Sequence, residues 1–347
     1  MTSLHEERQA QCDVVNALLN DGEFFEAEEK LNYLLAQDPE CVSYYELLGG
    51  ALRGQGRQLE LVPILSSASK NYPALSLWRG ADFRQRQEES VAKGLPSVFL
   101  NTQFKSGSVF LRGALENGLG LGWQFLFPEG VVHKMVDQWV ADFVLGGAVC
   151  QDHRVWDDDL GKKLETMSNI KFVLHLRDPR QSQLSVVHHY ERMLREGPDY
   201  ARRNLIQLMP DGYANWTFEE RMDLQLGLRD GFDDRNMTRA HQNFQGQTLW
   251  IETWLEAIET NACPIDIAVT DYQDLANGQE EYMKGLLEKI DVDEALYDFS
   301  VIEKRPEPGT AHYRKGDPNE WRSVLTGPQK ARICELMTGR VYERYGD

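Results

Sequence analysis

The chain has no C-x-x-C pair: its five cysteines, Cys12, Cys41, Cys150, Cys263 and Cys334, are odd in number and widely spaced. That pattern fits neither a disulfide framework nor a zinc site, and a reducing, cytoplasmic setting is expected. No apolar run approaches the ~20 residues that a membrane-spanning helix needs, and Met1 to Arg8 lack the apolar core of a signal peptide. Neither secretion nor a membrane span is expected. Positive charge is scarce, with 37 Lys and Arg against 55 Asp and Glu and a formal charge of -18. A field of that sign repels a diffuse polyanion such as duplex DNA, so nucleic acid is not an expected partner and a bound anion needs a local cluster of cations. The Walker pattern G-x-x-x-x-G-K-[ST] is absent as well, which removes the common phosphate loop of ATP and GTP enzymes.

What is present is enough for a substantial core. With 347 residues, 41% of them hydrophobic and 10% aromatic, the chain suits one large domain plus an accessory region. From residue 4 to about 72, apolar positions recur at three and four (Val14, Leu18, Leu19; Phe24, Ala27, Leu31, Leu34, Leu35; Tyr45, Leu48, Leu52), which predicts helices. A shift of 34 sets Gly22 on Gly56, Glu26 on Glu60, Leu31 on Leu65 and Pro39 on Pro73. That is the period of the tetratricopeptide repeat, and Tyr45, Leu48 and Gly49 resemble the aromatic, leucine and glycine of its first helix. The helices are either a platform for a protein partner or self-association, or a cap on the main domain. The polar stretch at residues 85–93, followed by Gly94 and Pro96, places the boundary between a helical region, 1–95, and a second domain, 96–347.

After Pro96 strands alternate with helices, the mark of an α/β fold with a parallel sheet flanked by helices. Strands are predicted at residues 97–101, 147–151, 170–176 and 265–269. Such sheets bind ligands at the carboxyl ends of their strands. The first strand leads into Lys105-Ser106-Gly107-Ser108-Val109-Phe110 and a helix. A glycine among small hydroxyl residues lets backbone N–H groups approach an anion, the helix adds its positive end and Lys105 a full charge, so a phosphate cradle stands beside the plainer reading of a strand-to-helix turn. The third strand leads into Arg177-Asp178-Pro179, with Ser185 about two turns into the helix that Pro179 begins. An arginine there can fork a phosphate. Residues 304–344 hold nine Lys or Arg against five acids, around His312, Arg314, Lys315, Gly316 and Trp321; a solvated basic face is the alternative.

Together these segments resemble the sulfotransferases that use 3′-phosphoadenosine 5′-phosphosulfate (PAPS). Lys105 to Ser108 resemble the family's 5′-phosphosulfate loop, Arg177 and Ser185 keep the spacing of its 3′-phosphate site, and Arg314-Lys315-Gly316 with Trp321 is similar to its R-K-G-x-x-x-x-W clamp. Asp271-Tyr272-Gln273-Asp274-Leu275 resembles its Y-E-D-L segment. The resemblance covers residues 96–347. It implies a P-loop-like sulfotransferase fold and PAPS-binding residues Lys105, Ser106, Gly107, Ser108, Val109, Phe110, Arg177, Ser185, Tyr272, Arg314, Lys315 and Gly316, without a metal. Phe110 stands where the family often has a tryptophan that stacks on adenine.

Sulfuryl transfer needs a base for the acceptor's proton, and positioning with charge neutralisation carries the rest. Asp152-His153 follows the second strand, where the family's catalytic histidine is found, so His153 is the candidate base; Asp152 either orients or stabilises it, or is itself the base. The family's usual Lys-Thr before that histidine is replaced by Gln151-Asp152. Lys105 joins them as a catalytic residue. Asp157, Asp158 and Asp159, with Asp211, Asp223, Asp230, Asp233 and Asp234, favour a neutral or cationic small-molecule acceptor over a polyanion if they face the site. A kinase-like transferase is disfavoured by the missing Walker lysine and magnesium aspartate. The alternative from another class is a helical-repeat interaction protein whose transferase domain is inactive or only binds the nucleotide.

Overall fold

The computed structural model describes residues 4–346 apart from 129–130, 132–133, 168–169, 198–201, 203–204, 207–208, 231–242, 304–316 and 338. The apolar spacing near the start becomes four helices, α1 (Leu4–Asp21), α2 (Phe24–Gln37), α3 (Val42–Gly54) and α4 (Leu61–Asn71). α2 packs on both α1 and α3, with Leu31, Leu48, Leu52 and Leu65 buried. The 34-residue shift has a counterpart in backbone geometry. Gly22 and Gly56 both reverse the chain in the left-handed region, at φ +82° and +71°. Pro39 and Pro73 stand equally far beyond the ends of α2 and α4. The polar stretch at 85–93 lies largely within a fifth helix, α5 (Phe83–Ala92).

Five strands follow: β1 (Ser97–Thr102), β2 (Gly122–Trp123), β3 (Ala148–Asp152), β4 (Ile170–Leu176) and β5 (Ile267–Asp271). They form one sheet in the order β2-β3-β1-β4-β5. β2 runs parallel to β3, and β5 runs parallel to β4 from the Phe172–Ile267 pair to the Leu176–Asp271 pair. β1, β3 and β4 are almost wholly buried and read as continuous apolar runs, as strands covered on both faces should. β5 begins two residues later than its apolar run predicts, and the two-residue β2 is too short to show any alternation. The connecting helices include α6 (Ser108–Leu119) after β1, α7 (Asp137–Phe143) before β3, α8 (Asp158–Glu165) after β3 and α9 (Pro179–Glu196) after β4. From the central β1 the chain goes to the edge strand β2, steps in to β3 and then crosses β1 to β4, so the order reverses beside β1. That is where an open α/β sheet forms a crevice.

The chain falls into two compact units, residues 1–98 with 119–150 and residues 99–118 with 151–347. Within the first, Asp142 on α7 is gripped by Arg79 at 2.8 Å and Arg84 at 2.7 Å, and Trp139 donates to Ser69 on α4 at 2.7 Å. Within the second, Phe99 stacks on Phe172 at 5.0 Å, and Trp254, from the helix Phe244–Glu259, lies 5.2 Å from the same ring. Among the described residues no helix is long and apolar enough to cross a membrane.

Candidate functional site

All the described candidate residues belong to the second unit. The turn between β1 and α6 is held by its carbonyl oxygens. Gln103 O accepts from the N–H of Ser106 at 3.2 Å and from its hydroxyl at 2.7 Å. Phe104 O accepts from the Ser182 hydroxyl and Lys105 O from the Arg177 guanidinium, while Ser106 O meets His175 Nε2 at 3.0 Å. Lys105 and Gly107 take left-handed φ values of +63° and +91°. Two left-handed residues on either side of Ser106, with the carbonyls around them tied down, make a backbone pattern found in anion-binding turns. Glycine suits position 107 because of its left-handed φ, while an added Cβ would only touch the Tyr272 ring at 3.4 Å. Ser108 opens α6 and is buried, whereas Val109 and Phe110 are half-buried in its first turn.

Lys105 supplies the charge. Among the described residues no carboxylate pairs with it, and burial, with Arg177 and Arg192 nearby, pushes its ammonium down to about 8. Arg177 is buried, its guanidinium 3.9 Å from the Tyr272 ring centroid. Lys105, Gly107, Arg177 and Tyr272 are therefore brought together. Arg177 and Tyr272 also line a cavity of about 440 Å³ with Gln181, Pro318, Asn319, Asp178, Asp271 and Asp274. Two of those acids have cationic partners, Asp178 with Arg180 at 2.7 Å and Asp271 with Arg344 at 3.4 Å. Ser185 does not line this cavity. It sits on α9 three residues beyond Ser182 and so shares the helix face that meets the turn. Trp321 is buried, with the Arg180 guanidinium 3.9 Å from its ring centroid. Arg314, Lys315 and Gly316, with His312, lie outside the described residues.

His153 stands just beyond β3. Its Nδ1 lies 2.7 Å from Thr102 O, so this nitrogen carries the proton and Nε2 keeps its lone pair, 3.2 Å from the Gln151 amide nitrogen. Burial and the charge of Lys105 push the imidazole below its usual value despite the Thr102 bond. Asp152 Oδ1 accepts from the main-chain N–H of His153 at 2.6 Å, so it fixes the backbone while the Thr102 carbonyl fixes the ring. The next residue is anchored as well: Arg154 O accepts from Trp254 at 2.7 Å and Asn101 at 3.0 Å, and Trp250 donates to His153 O at 3.2 Å. Phe104 presents an edge contact to the imidazole at 5.5 Å, which links the histidine to the turn.

Sequence reasoning missed the groups that hold these in place, Thr102, Ser182, Trp250, Trp254 and His175, and the charge of Arg192 near Lys105. His175 is buried inside β4, where its Nδ1 meets Thr270 Oγ1 at 2.9 Å and Tyr282 OH at 3.0 Å. Their partners are far away in sequence, and Ser182, a hydroxyl one turn into a helix after a strand, is the one with a local signal. Two of the acids expected to face an acceptor have other work. Asp157 caps α8 by accepting from Leu160 N at 2.7 Å, and Asp223 accepts from Gln329 at 2.8 Å. Asp233 and Asp234 lie outside the described residues. Among the described residues no group of three or more His, Cys, Asp or Glu side chains is placed to hold a metal ion.

Fold and site define an α/β chain with a cationic strand-to-helix turn at the reversal point of its sheet and a neutral histidine beside it. No protein-family model matches the chain, and no curated protein matches it. Among solved structures it is similar to mouse sulfotransferase SULT7A1 complexed with PAP, at 13% sequence identity and a TM-score of 0.43, over 70% of this chain and 82% of that one.

Proposed function

We propose that residues 96–347 form a sulfotransferase domain that moves the sulfuryl group of PAPS to a hydroxyl or amine of a small neutral or cationic acceptor, behind a helical, tetratricopeptide-like region at 1–95. The observation that carries this reading is the turn at 103–107, whose carbonyls are tied back and whose Lys105 has no carboxylate partner among the described residues. In it Lys105, Ser106, Gly107 and Ser108 receive the 5′-phosphosulfate. Phe110 offers a ring to the adenine, Arg177, Ser185, Arg314, Lys315 and Gly316 serve the 3′-phosphate, and Val109 and Tyr272 complete the PAPS-binding set. Ser106 already gives both its donors to Gln103 O, so the N–H groups of Gly107 and Ser108 carry more of the contact.

PAPS supplies a sulfuryl group whose S–O bond to the 5′-phosphate breaks as the acceptor's oxygen or nitrogen bonds to sulfur. The acceptor's proton passes to His153 Nε2, once the Gln151 amide has given way to it, and Lys105 offsets the charge left on the departing phosphate. Asp152 and Thr102 hold the histidine for that transfer. The cytoplasmic setting belongs to the same proposal. It is tested by transfer of labelled sulfate from PAPS to a panel of small phenols, alcohols and amines, with a heparin-like oligosaccharide alongside. Turnover of the small acceptors that is lost in His153→Ala supports the reading, and faster turnover of the oligosaccharide overturns the acceptor class.

A second reading has its own observation. The lone pair of His153 is already engaged by Gln151, and three acids share the cavity of Arg177. A domain that only binds the nucleotide, beside helices that bind a partner or another copy of the chain, would bind PAP without turnover of any acceptor.

A further inference from the structure

Four buried glutamines, unused by the reaction above, join into one line of amides. The main-chain N–H of Arg177 donates to Gln103 Oε1 at 2.8 Å, and Gln103 Nε2 donates to Gln247 Oε1 at 2.9 Å. Gln247 Nε2 donates to Gln183 Oε1 at 2.9 Å, and Gln183 Nε2 to Gln225 Oε1 at 3.0 Å. None of the four side chains is more than 2% exposed. An N–H can donate only to an acceptor, so the Arg177 amide fixes which way Gln103 faces, and alternation of donor and acceptor fixes the other three. The line ends on a surplus donor: Gln225 Nε2 is buried and makes no hydrogen bond among the described residues. Gln103 follows β1, Gln183 lies on α9, Gln225 closes the helix Phe218–Gln225 and Gln247 is in the first turn of the helix Phe244–Glu259.

We propose that Gln103, Gln247, Gln183 and Gln225 are positioning residues, a relay of single polarity that sets Arg177 and the 103–107 turn against the two helices bracketing residues 226–243. The proposal deepens the reading of the turn as an anion site and rests on it for its binding consequence. Core filling alone would be met by apolar side chains of the same length. A relay is not, because each amide is the acceptor or donor that keeps its neighbour from being buried unpaired.

A carboxyl group at 247 gives a sharper consequence. Burial among amides keeps it protonated, so its C=O accepts from Gln103 and its O–H donates to Gln183, as the amide does. Q247E therefore preserves every link that Q247M breaks.

The test uses the full chain as wild type, Q247M and Q247E, with hydrogen exchange read at peptides covering 99–110 and 172–182 and calorimetric titration of 3′-phosphoadenosine 5′-phosphate. Q247M should raise exchange in those two peptides and weaken the bisphosphate by about tenfold, the scale of one buried amide left unpaired. α1 to α4 should stay protected, and Q247E should restore both readouts. A silent Q247M, or a Q247E as disruptive as Q247M, overturns the relay. Should Q247M not fold, Q225M carries the test from the far end. The relay then requires faster exchange at 99–110, and a change confined to the helix Phe218–Gln225 contradicts it. If wild type fails to bind the bisphosphate, the anion-site reading falls, and the exchange measurements still decide the relay.

Discussion

At the scale of single residues, two side chains have protonation states that make the site testable. Lys105 is pushed down to about 8 by burial and by Arg177 and Arg192, so the empty site begins to lose its charge just above neutral pH. A bound anion draws the proton back. Affinity for 3′-phosphoadenosine 5′-phosphate should therefore hold steady below that value and fall as pH rises through it. Lys105→Arg, which stays charged across the range, should flatten the profile in a calorimetric pH series. His153 lies below its usual value and is neutral at pH 7, as the proposed base must be, so the acid limb of turnover should begin below about 6.5. His153→Ala should lower kcat by about 10²–10⁴-fold, the range for a general base, with the bisphosphate still bound. A loss of binding equal to the loss of rate would mean that the ring only supports the turn.

At the scale of elements, the join between β4 and the turn depends on His175, which reaches from inside its strand to Ser106 O. Burial pushes its imidazole down from 6.5 to about 4. The unfolded chain binds the proton that the folded one refuses, so stability should be unaffected above 6.5 and decline as pH falls from there toward 4, by up to about 3 kcal/mol. His175→Phe should remove that slope in urea titrations at several pH values; an unchanged slope would place its cause elsewhere. The strands were legible from their apolar runs, and the turn from a lysine, two hydroxyls and a glycine in a row after the first of them. Those are local signals. The supports of the turn were not legible, because His175, Ser182 and Gln103 act on partners set by tertiary packing, and β2 is too short to carry a pattern. Arg177 was legible as a cation at a strand end, but its grip on Lys105 O and its stack on Tyr272 depend on how β4 and β5 pair.

At the scale of the whole chain, the composition makes the proposed anion site a local exception. A net charge of -18 opposes an anionic ligand, and the cluster of Lys105, Arg177 and Arg192 must overcome it at close range. The helical region at 1–95 shares its unit with residues 119–150: Arg79 and Arg84 hold Asp142, and Ser69 holds Trp139. A chain begun at residue 96 would leave the buried Asp142 without either cation. It should lose cooperative unfolding in calorimetry, and a sharp transition like that of the full chain would show that the helices are dispensable. The most direct measurement is calorimetric titration of the full chain with 3′-phosphoadenosine 5′-phosphate and, separately, with ATP, for wild type and Arg177→Ala. Micromolar binding of the bisphosphate, weak binding of ATP and loss of the former in Arg177→Ala is the predicted result. Binding of neither nucleotide by a folded wild type would contradict it.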